Sequence, residues 1–172
     1  MNDYQIVAGL AGKSHLLDLI GIFLAGYLAY ILIAIFLVIL FVQKDWRRRL
    51  QLTLFSVFSL LVSMGIIKTA LNYFFFRERP FVVYNFTPLL SHAASDPSFP
   101  SGHAIAFFTL ATLMFFWIDR KWGVWFYIAA VLIAVARVFV GVHFPLDVIA
   151  GALIGFVTPF LVRLVLPKTF VQ

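Results

Sequence analysis

Five long runs of apolar residues, separated by short polar segments, dominate the chain. They cover approximately residues 16–42, 51–76, 101–118, 123–140 and 145–165. An α-helix needs about 20 residues to cross the hydrocarbon core of a membrane, and each run is near that length. Pro145 suits the first turn of a helix, where its missing N–H removes no hydrogen bond. The pattern predicts an all-α protein, a polytopic membrane bundle of about five transmembrane helices.

Two segments fall outside these runs. Residues 1–15 mix polar and apolar positions, and we expect a short interfacial helix lying on the membrane surface there. Residues 81–100 form the only long loop, in which Pro88, Pro97 and Pro100 disfavour a regular element. Loops of this length in compact proteins are often functional.

The composition agrees with a membrane protein. Hydrophobic residues make up 63% of the 172 and charged residues only 12%, whereas soluble domains have about a quarter charged. The length predicts a single domain, residues 1–172. There is no cysteine, which excludes disulfides and thiolate metal sites. Neither an HExxH motif nor a carboxylate cluster is present, so no metal and no other cofactor is expected.

The basic residues indicate how the chain is oriented. Their net charge of +6 does not predict nucleic-acid binding, because most of them lie between the apolar runs. Segments 43–50 and 119–122 and the C-terminus share one side of a five-span bundle and carry Lys44, Arg47, Arg48, Arg49, Arg120, Lys121 and Lys168. That side should be cytoplasmic. The polar residues suited to chemistry then collect on the opposite face.

The segment 136–147 places three ionisable residues in an apolar run. His143 and Asp147 are four residues apart, a spacing that puts both on one face of a helix. The carboxylate could fix the imidazole tautomer and leave the other nitrogen free to attack an electrophile. Arg137 offers a fork of donors suited to a phosphoryl group. The alternative is a structural ion pair between helix ends. Three ionisable groups at this spacing inside a membrane protein make this alternative less favoured.

Two further clusters lie on the same face. Arg79 precedes Pro80 at a helix exit, and taken alone it is explained slightly better as an interfacial anchor. Ser101, Gly102 and His103 open the third run, where exposed helix amides bind anions and His103 could donate a proton. A simple helix cap is the alternative. Lys68 lies one turn before Asn72, and its long side chain could simply extend to the membrane surface. His15 and His92 lack comparable partners in sequence, so we expect both to be ordinary interfacial or loop histidines.

In combination these residues resemble the three-part signature of the type 2 phosphatidic acid phosphatase superfamily. The matching positions are Arg79-Pro80, Pro100-Ser101-Gly102-His103, and Arg137 with His143 and Asp147 at the family spacing. The resemblance implies an all-helical membrane phosphatase that works without a metal. His143 would be the nucleophile, Asp147 would orient it, and His103 would protonate the leaving group. Arg79, Arg137, Ser101 and Gly102 would bind the phosphoryl oxygens.

Two positions depart from the family pattern. Asn72 stands where the family usually has lysine, and Ala136 where it usually has serine. Both departures remove donors to phosphate, and Lys68, one helical turn before Asn72, could replace one of them. We therefore include Lys68 and Asn72 among the candidate phosphate ligands.

The segment 92–101 and the five-span length are similar to bacterial undecaprenyl-diphosphatases of the bacitracin-resistance type. This resemblance implies cleavage of undecaprenyl diphosphate on the outer face of the bacterial cytoplasmic membrane. Phosphatidylglycerophosphate, phosphatidate and lipid A 1-phosphate are alternative substrates. A phospholipid-headgroup transporter would not need the His103 and His143 pair, and a vanadate haloperoxidase would be soluble. The sequence does not define an oligomeric state.

Overall fold

A computed structural model describes residues 12–167 as a bundle of helices joined by turns and loops, with no strand among these residues. In chain order the helices are α1 His15–Phe41, α2 Trp46–Phe74, α3 Pro80–Val83, α4 Gly102–Ile118, α5 Arg120–Phe139 and α6 Pro145–Val165. By length and apolar composition α1, α2, α5 and α6 can each cross a membrane, and α4 is a shorter apolar helix. The predicted all-helical membrane bundle is confirmed. The expected N-terminal interfacial helix falls mainly on residues 1–11, outside the described part, as does Lys168.

The two basic segments are helical rather than looped. Asp45 precedes α2 and accepts a hydrogen bond from the Arg47 amide at 2.9 Å, and Asp119 precedes α5 and accepts one from the Trp122 amide at 2.9 Å. An aspartate in this position satisfies an amide that the first turn of a helix leaves free. The predicted start of the second helix at residue 51 is therefore wrong, because the cap at Asp45 brings the arginines into its first turn.

Helix α4 lies at the centre of the bundle and packs most extensively against α6. Two glycines of α6 allow this approach. A Cβ atom at Gly151 would lie 2.7 Å from the Ser101 carbonyl oxygen, and one at Gly155 would lie 2.5 Å from that of Ile105. Small residues spaced by four let membrane helices pack backbone to backbone. This contact sets the height of the first turn of α4 against that of α6.

The loop from residue 84 to residue 101 is tied to the bundle at several points. The Leu89 amide donates to the Val140 carbonyl (3.1 Å), and the Ser98 amide donates to the Arg77 carbonyl (2.7 Å). Leu89 and Leu90 pack against the buried Val140. The loop thus forms a fixed cover over the helix ends where the candidate residues were expected.

Candidate active site

A cavity of about 580 Å³ lies beneath this loop. It brings together most of the predicted site residues, namely Lys68, Arg79, Gly102, His103, Arg137 and His143. Three of these side chains are cationic, and Asp96 is the only carboxylate among the described lining residues. Ser101 and Asp147 are buried behind the wall. The excess of positive charge makes the cavity suited to an anion.

Both arginines are buried and held by defined contacts. The Arg79 Nε donates to the Asp96 carbonyl (3.2 Å) and its Nη1 donates to the Val142 carbonyl (3.0 Å). Burial lowers the pKa of Arg79, and the carboxylates of Asp96 and Asp147 oppose this effect. Arg137, in the last turn of α5, is only 3% exposed, and its Nε has no hydrogen-bond partner among the described residues. A buried donor without a partner is costly, so the Arg137 Nε is suited to hydrogen bond with a bound anion.

The first turn of α4 offers further unused donors. Ser101 occupies the N-cap position, yet its side chain does not cap the helix, and its buried Oγ has no partner in the part of the chain that the structure describes. Its backbone amide instead donates to the Asp147 carbonyl at 3.0 Å, which ties α4 to α6. Gly102 and His103 follow and line the cavity. The free hydroxyl, the helix amides and the Arg137 Nε could together surround an oxyanion.

Lys68 reaches the same turn from α2. A Cβ atom at Gly102 would lie 3.2 Å from the Lys68 Cε and 3.4 Å from its Nζ. The lysine stands at the end of a π-helical segment, Leu61–Lys68, a distortion that often marks functional sites. No hydrogen bond or ion pair to its ammonium is present within residues 12–167. Its charge is thus available to an anion at the start of α4.

Asn72 was expected among the phosphate ligands, and the structure does not place it in the cavity wall. In the amide orientation that satisfies its surroundings, its nitrogen donates to the Phe99 carbonyl (2.7 Å) and to the Lys68 carbonyl (3.3 Å). The amide is one turn nearer the helix exit than Lys68 and is too short to replace a lysine there. Its contact with Phe99 instead holds the loop that leads into α4.

His143 is placed by a turn rather than by a helix. Gly141, with φ of +83°, turns the chain after α5, and a Cβ atom there would lie 2.6 Å from the Phe86 ring. His143 follows in this turn, and Asp147 lies in the first turn of α6. The expectation that the pair shares a helical face is therefore wrong. The two come together because α6 begins between them, at Pro145.

The His143 Nδ1 contacts a backbone atom more closely than it contacts the carboxylate. It lies 2.9 Å from the Ser98 carbonyl oxygen and 3.7 Å from the Asp147 Oδ2. Since a carbonyl only accepts, Nδ1 carries the proton and Nε2 is left with its lone pair. No partner for Nε2 is present among the described residues. The sequence could not reveal this contact, because every residue has a carbonyl group.

Asp147 is fully buried and its carboxylate is surrounded by donors. The Ser98 hydroxyl and the Phe144 amide (2.8 Å) donate to Oδ2, and the Arg77 Nη1 donates to Oδ1 at 3.0 Å. Arg77 also lies over the Phe144 ring, 3.8 Å from its centroid. Neither Arg77 nor Ser98 was assigned a role from the sequence. The clue for Arg77 is its place two residues before Arg79, as a second arginine at the same helix exit.

The local environment keeps the His143 ring neutral. Burial lowers the pKa of His143 to about 4, and the charges of Arg137 and Arg79 add to this effect while Asp147 opposes it. At neutral pH the imidazole therefore has an available lone pair on Nε2. A neutral, oriented imidazole beside unpaired donors can act as a nucleophile toward a bound phosphoryl group.

His92 is also part of the cavity, contrary to the expectation that it is an ordinary loop residue. Its Nε2 lies 2.5 Å from the Arg137 Nη2. Burial and the charges of Arg137 and Arg79 lower the pKa of His92 to about 4. Its separation of 45 residues from Arg137 in the chain explains why no sequence spacing indicated the contact.

The chain is similar to known proteins over most of its length. Residues 52–170 match the PAP2 superfamily. The bacitracin transport permease protein BcrC of Bacillus licheniformis is 32% identical over 169 residues, which are 96% of this chain and 79% of that protein. Undecaprenyl-diphosphatase BcrC of Bacillus subtilis (strain 168) is 30% identical over 166 residues, 92% of this chain and 81% of that protein.

A solved structure agrees with these sequence relationships. The crystal structure of Aquifex aeolicus LpxE superimposes with a TM-score of 0.72 and 26% identity, over 93% of this chain and 91% of that one. The family resemblance predicted from the three motifs is thereby confirmed. The chain belongs to the PAP2 superfamily and is a membrane lipid phosphatase.

Proposed function

We propose that the enzyme hydrolyses undecaprenyl diphosphate to undecaprenyl phosphate and inorganic phosphate, with His143 as nucleophile. The observation that carries this proposal is the neutral His143 ring, fixed at Nδ1 by Ser98 with Nε2 unpaired among the described residues. The Ser101 Oγ and the Arg137 Nε, both buried and unpaired there, supply donors to the phosphoryl oxygens. The undecaprenyl-diphosphatase of Bacillus subtilis supports the choice of substrate.

In the first step the His143 Nε2 attacks the terminal phosphorus. The bond between that phosphorus and the bridging oxygen breaks, and His103 gives a proton to the leaving undecaprenyl phosphate. In the second step His103 takes a proton from a water molecule, whose oxygen attacks the phosphohistidine. The P–N bond then breaks and inorganic phosphate leaves. Asp147 and the Ser98 carbonyl stabilise the positive charge that develops on the His143 ring.

Donors around the phosphoryl group supply most of the catalytic stabilisation. Arg79, Arg137, Lys68, the Ser101 hydroxyl and the Gly102 amide are the proposed ligands. Arg79 and the backbone of Ser101 are held by hydrogen bonds before the substrate arrives. Such preorganised charge is usually the main source of rate acceleration in phosphoryl transfer. Asn72 is not among them, because its amide is used by the main chain.

The lipid tail would lie along an apolar wall. Gly26, Ala29, Tyr30 and Ile33 of α1 line the cavity on one side, and Met64 of α2 lines it on the other. Tyr30 and Ile33 are exposed on the outer surface of α1. A long prenyl chain could therefore leave the site into the membrane. Phosphatidylglycerophosphate, phosphatidate and lipid A 1-phosphate have the same phosphoryl chemistry and are the competing substrates.

We place the protein in the bacterial cytoplasmic membrane with the cavity on the non-cytoplasmic side, because the basic first turns of α2 and α5 lie at the other end. The native chain has no cysteine. On intact cells an impermeant thiol reagent should label Ser91→Cys and should label Gln43→Cys only after the membrane is permeabilised. Labelling of Gln43→Cys alone would place the site in the cytoplasm.

His143→Ala should lower phosphate release from undecaprenyl diphosphate by roughly 10³-fold or more, because the nucleophile is lost. Purified parent and variant should be compared in detergent with the four candidate lipids, and thermal unfolding should confirm that the variant is folded. Undecaprenyl diphosphate should give the highest kcat/KM with the parent protein. Turnover by folded His143→Ala, or preference for another lipid, would contradict the respective part of the proposal.

Lys68→Ala should lower kcat/KM by roughly 10²-fold, the effect of losing one charged contact to the reacting phosphoryl group. Lys68→Arg should retain part of the activity, since the charge and the stem length are similar. Ile66→Ala, which shortens an exposed side chain of the same helix outside the cavity wall, is the matched control. Full activity in Lys68→Ala would show that the arginines suffice for phosphate binding.

Arg77→Met should lower kcat about tenfold with little change in KM, because Arg77 contacts the Asp147 carboxylate and not the phosphoryl group. Arg77→Lys should recover part of the loss. Steady-state kinetics with undecaprenyl diphosphate provide the measurement, and Glu78→Gln is the neighbouring control. A rise in KM at unchanged kcat would indicate that Arg77 binds substrate directly.

A further inference from the structure

His92 stands outside the three family motifs yet occupies the wall of the active-site cavity. The side chain is partly buried, and its Nε2 lies 2.5 Å from the Arg137 Nη2. Its position is not that of a free loop residue. The neighbouring Leu89 and Leu90 pack on the buried Val140, and Arg79 binds the carbonyl of Asp96 on its other side.

The contact with Arg137 determines which ring nitrogen of His92 carries the hydrogen. A guanidinium nitrogen can only donate, so the His92 Nε2 must accept. A neutral ring that accepts at Nε2 carries its hydrogen on Nδ1. The low pKa of His92, about 4, agrees with a neutral ring at physiological pH. The Nδ1–H has no acceptor within residues 12–167, so it is an unused donor at the cavity.

The terminal phosphoryl group already has a full set of proposed ligands. It must lie against the His143 Nε2 for the attack to occur, and the Ser101 Oγ, the Gly102 amide and the Arg137 Nε are its proposed ligands. The Arg137 guanidinium has two edges, and the nitrogen bound to His92 is Nη2, not Nε. An anion that contacts His92 would therefore lie beside the first phosphoryl group rather than in its place.

We propose that His92 binds the second phosphate of a lipid diphosphate, donating from Nδ1 while Nε2 holds Arg137, and so selects diphosphates over monophosphates. The proposal rests on the proposed function, in that the substrate is a lipid diphosphate. It assigns His92 as a residue that determines specificity. The bond that breaks joins the terminal phosphorus to the bridging oxygen, so the second phosphate leaves with the lipid. A contact to the second phosphate therefore also holds the leaving group.

The test compares two substrates that share one tail, farnesyl diphosphate and farnesyl monophosphate, with purified enzyme in detergent. His92→Ala should lower kcat/KM for the diphosphate about tenfold more than for the monophosphate, since a hydrogen bond to a charged group contributes a factor of this order. His92→Met, which fills the same space without either contact, should show the same loss of selectivity. His92→Gln can accept a hydrogen bond from Arg137 and donate one to phosphate, so this variant should retain most of the selectivity for the diphosphate.

His15→Ala is the matched control, because His15 is an exposed histidine at the start of α1. Its ratio of the two kcat/KM values should equal that of the parent. Equal losses for both substrates in His92→Ala and His92→Met would overturn the proposal and leave His92 as a support for Arg137 alone. Failure of the proposed function would appear differently, as a preference of the parent protein for another lipid in the panel of four.

Discussion

The buried carboxylate of Asp147 is the group around which the site is assembled. A charge taken out of water inside a membrane bundle is costly unless donors surround it. Here the donors come from distant parts of the chain, namely Arg77 after α2, the Ser98 hydroxyl before α4 and the Phe144 amide before α6. Each of the three motif regions therefore contributes to satisfying one side chain.

The same segments position the reacting groups. Ser98 binds Asp147 with its hydroxyl and His143 with its carbonyl, so one residue holds both the proposed nucleophile and the carboxylate that orients it. The Ser101 amide binds the Asp147 carbonyl and fixes the N-terminus of α4 beside that of α6. Loss of the carboxylate would leave this backbone bond in place, but it would remove the acceptor for the Ser98 hydroxyl and the Phe144 amide, which lie on either side of the His143 ring. Asp147 therefore has a structural role, in addition to the catalytic role proposed for it.

Much of this arrangement was predictable, for reasons that differ between residues. The apolar runs determined the helices, because a membrane leaves the backbone no other common way to satisfy its hydrogen bonds. The positions of His103, Arg137 and His143 could be matched to a family because catalytic chemistry restricts residue type and spacing. The start of α2 was placed too late, since Asp45 acts as a cap that hydrophobicity does not register.

Contacts that depend on backbone atoms or on long-range packing were not predictable. The contact of His143 with the Ser98 carbonyl could not be predicted, because every residue has a carbonyl group. The contact of His92 with Arg137 joins residues that no spacing rule connects. Asn72 is the opposite case. Its position in the family pattern predicted a phosphate ligand, but its side chain donates to the backbone of the loop and of α2. Each of these outcomes follows from where the loop at residues 84–101 is anchored.

Helix packing also determines how closely the groups of the site approach one another. The carbonyls of Ser101 and Ile105 approach Gly151 and Gly155 so closely that a side chain at either glycine would displace α4. Such a displacement would move the Ser101 hydroxyl and the Gly102 amide relative to His143, which the start of α6 carries. Phosphoryl transfer tolerates little error, since a shift of about 1 Å can cost roughly 10²-fold in rate. The two glycines lie outside the cavity wall, yet they determine whether the proposed donors and the proposed nucleophile can reach one phosphorus atom.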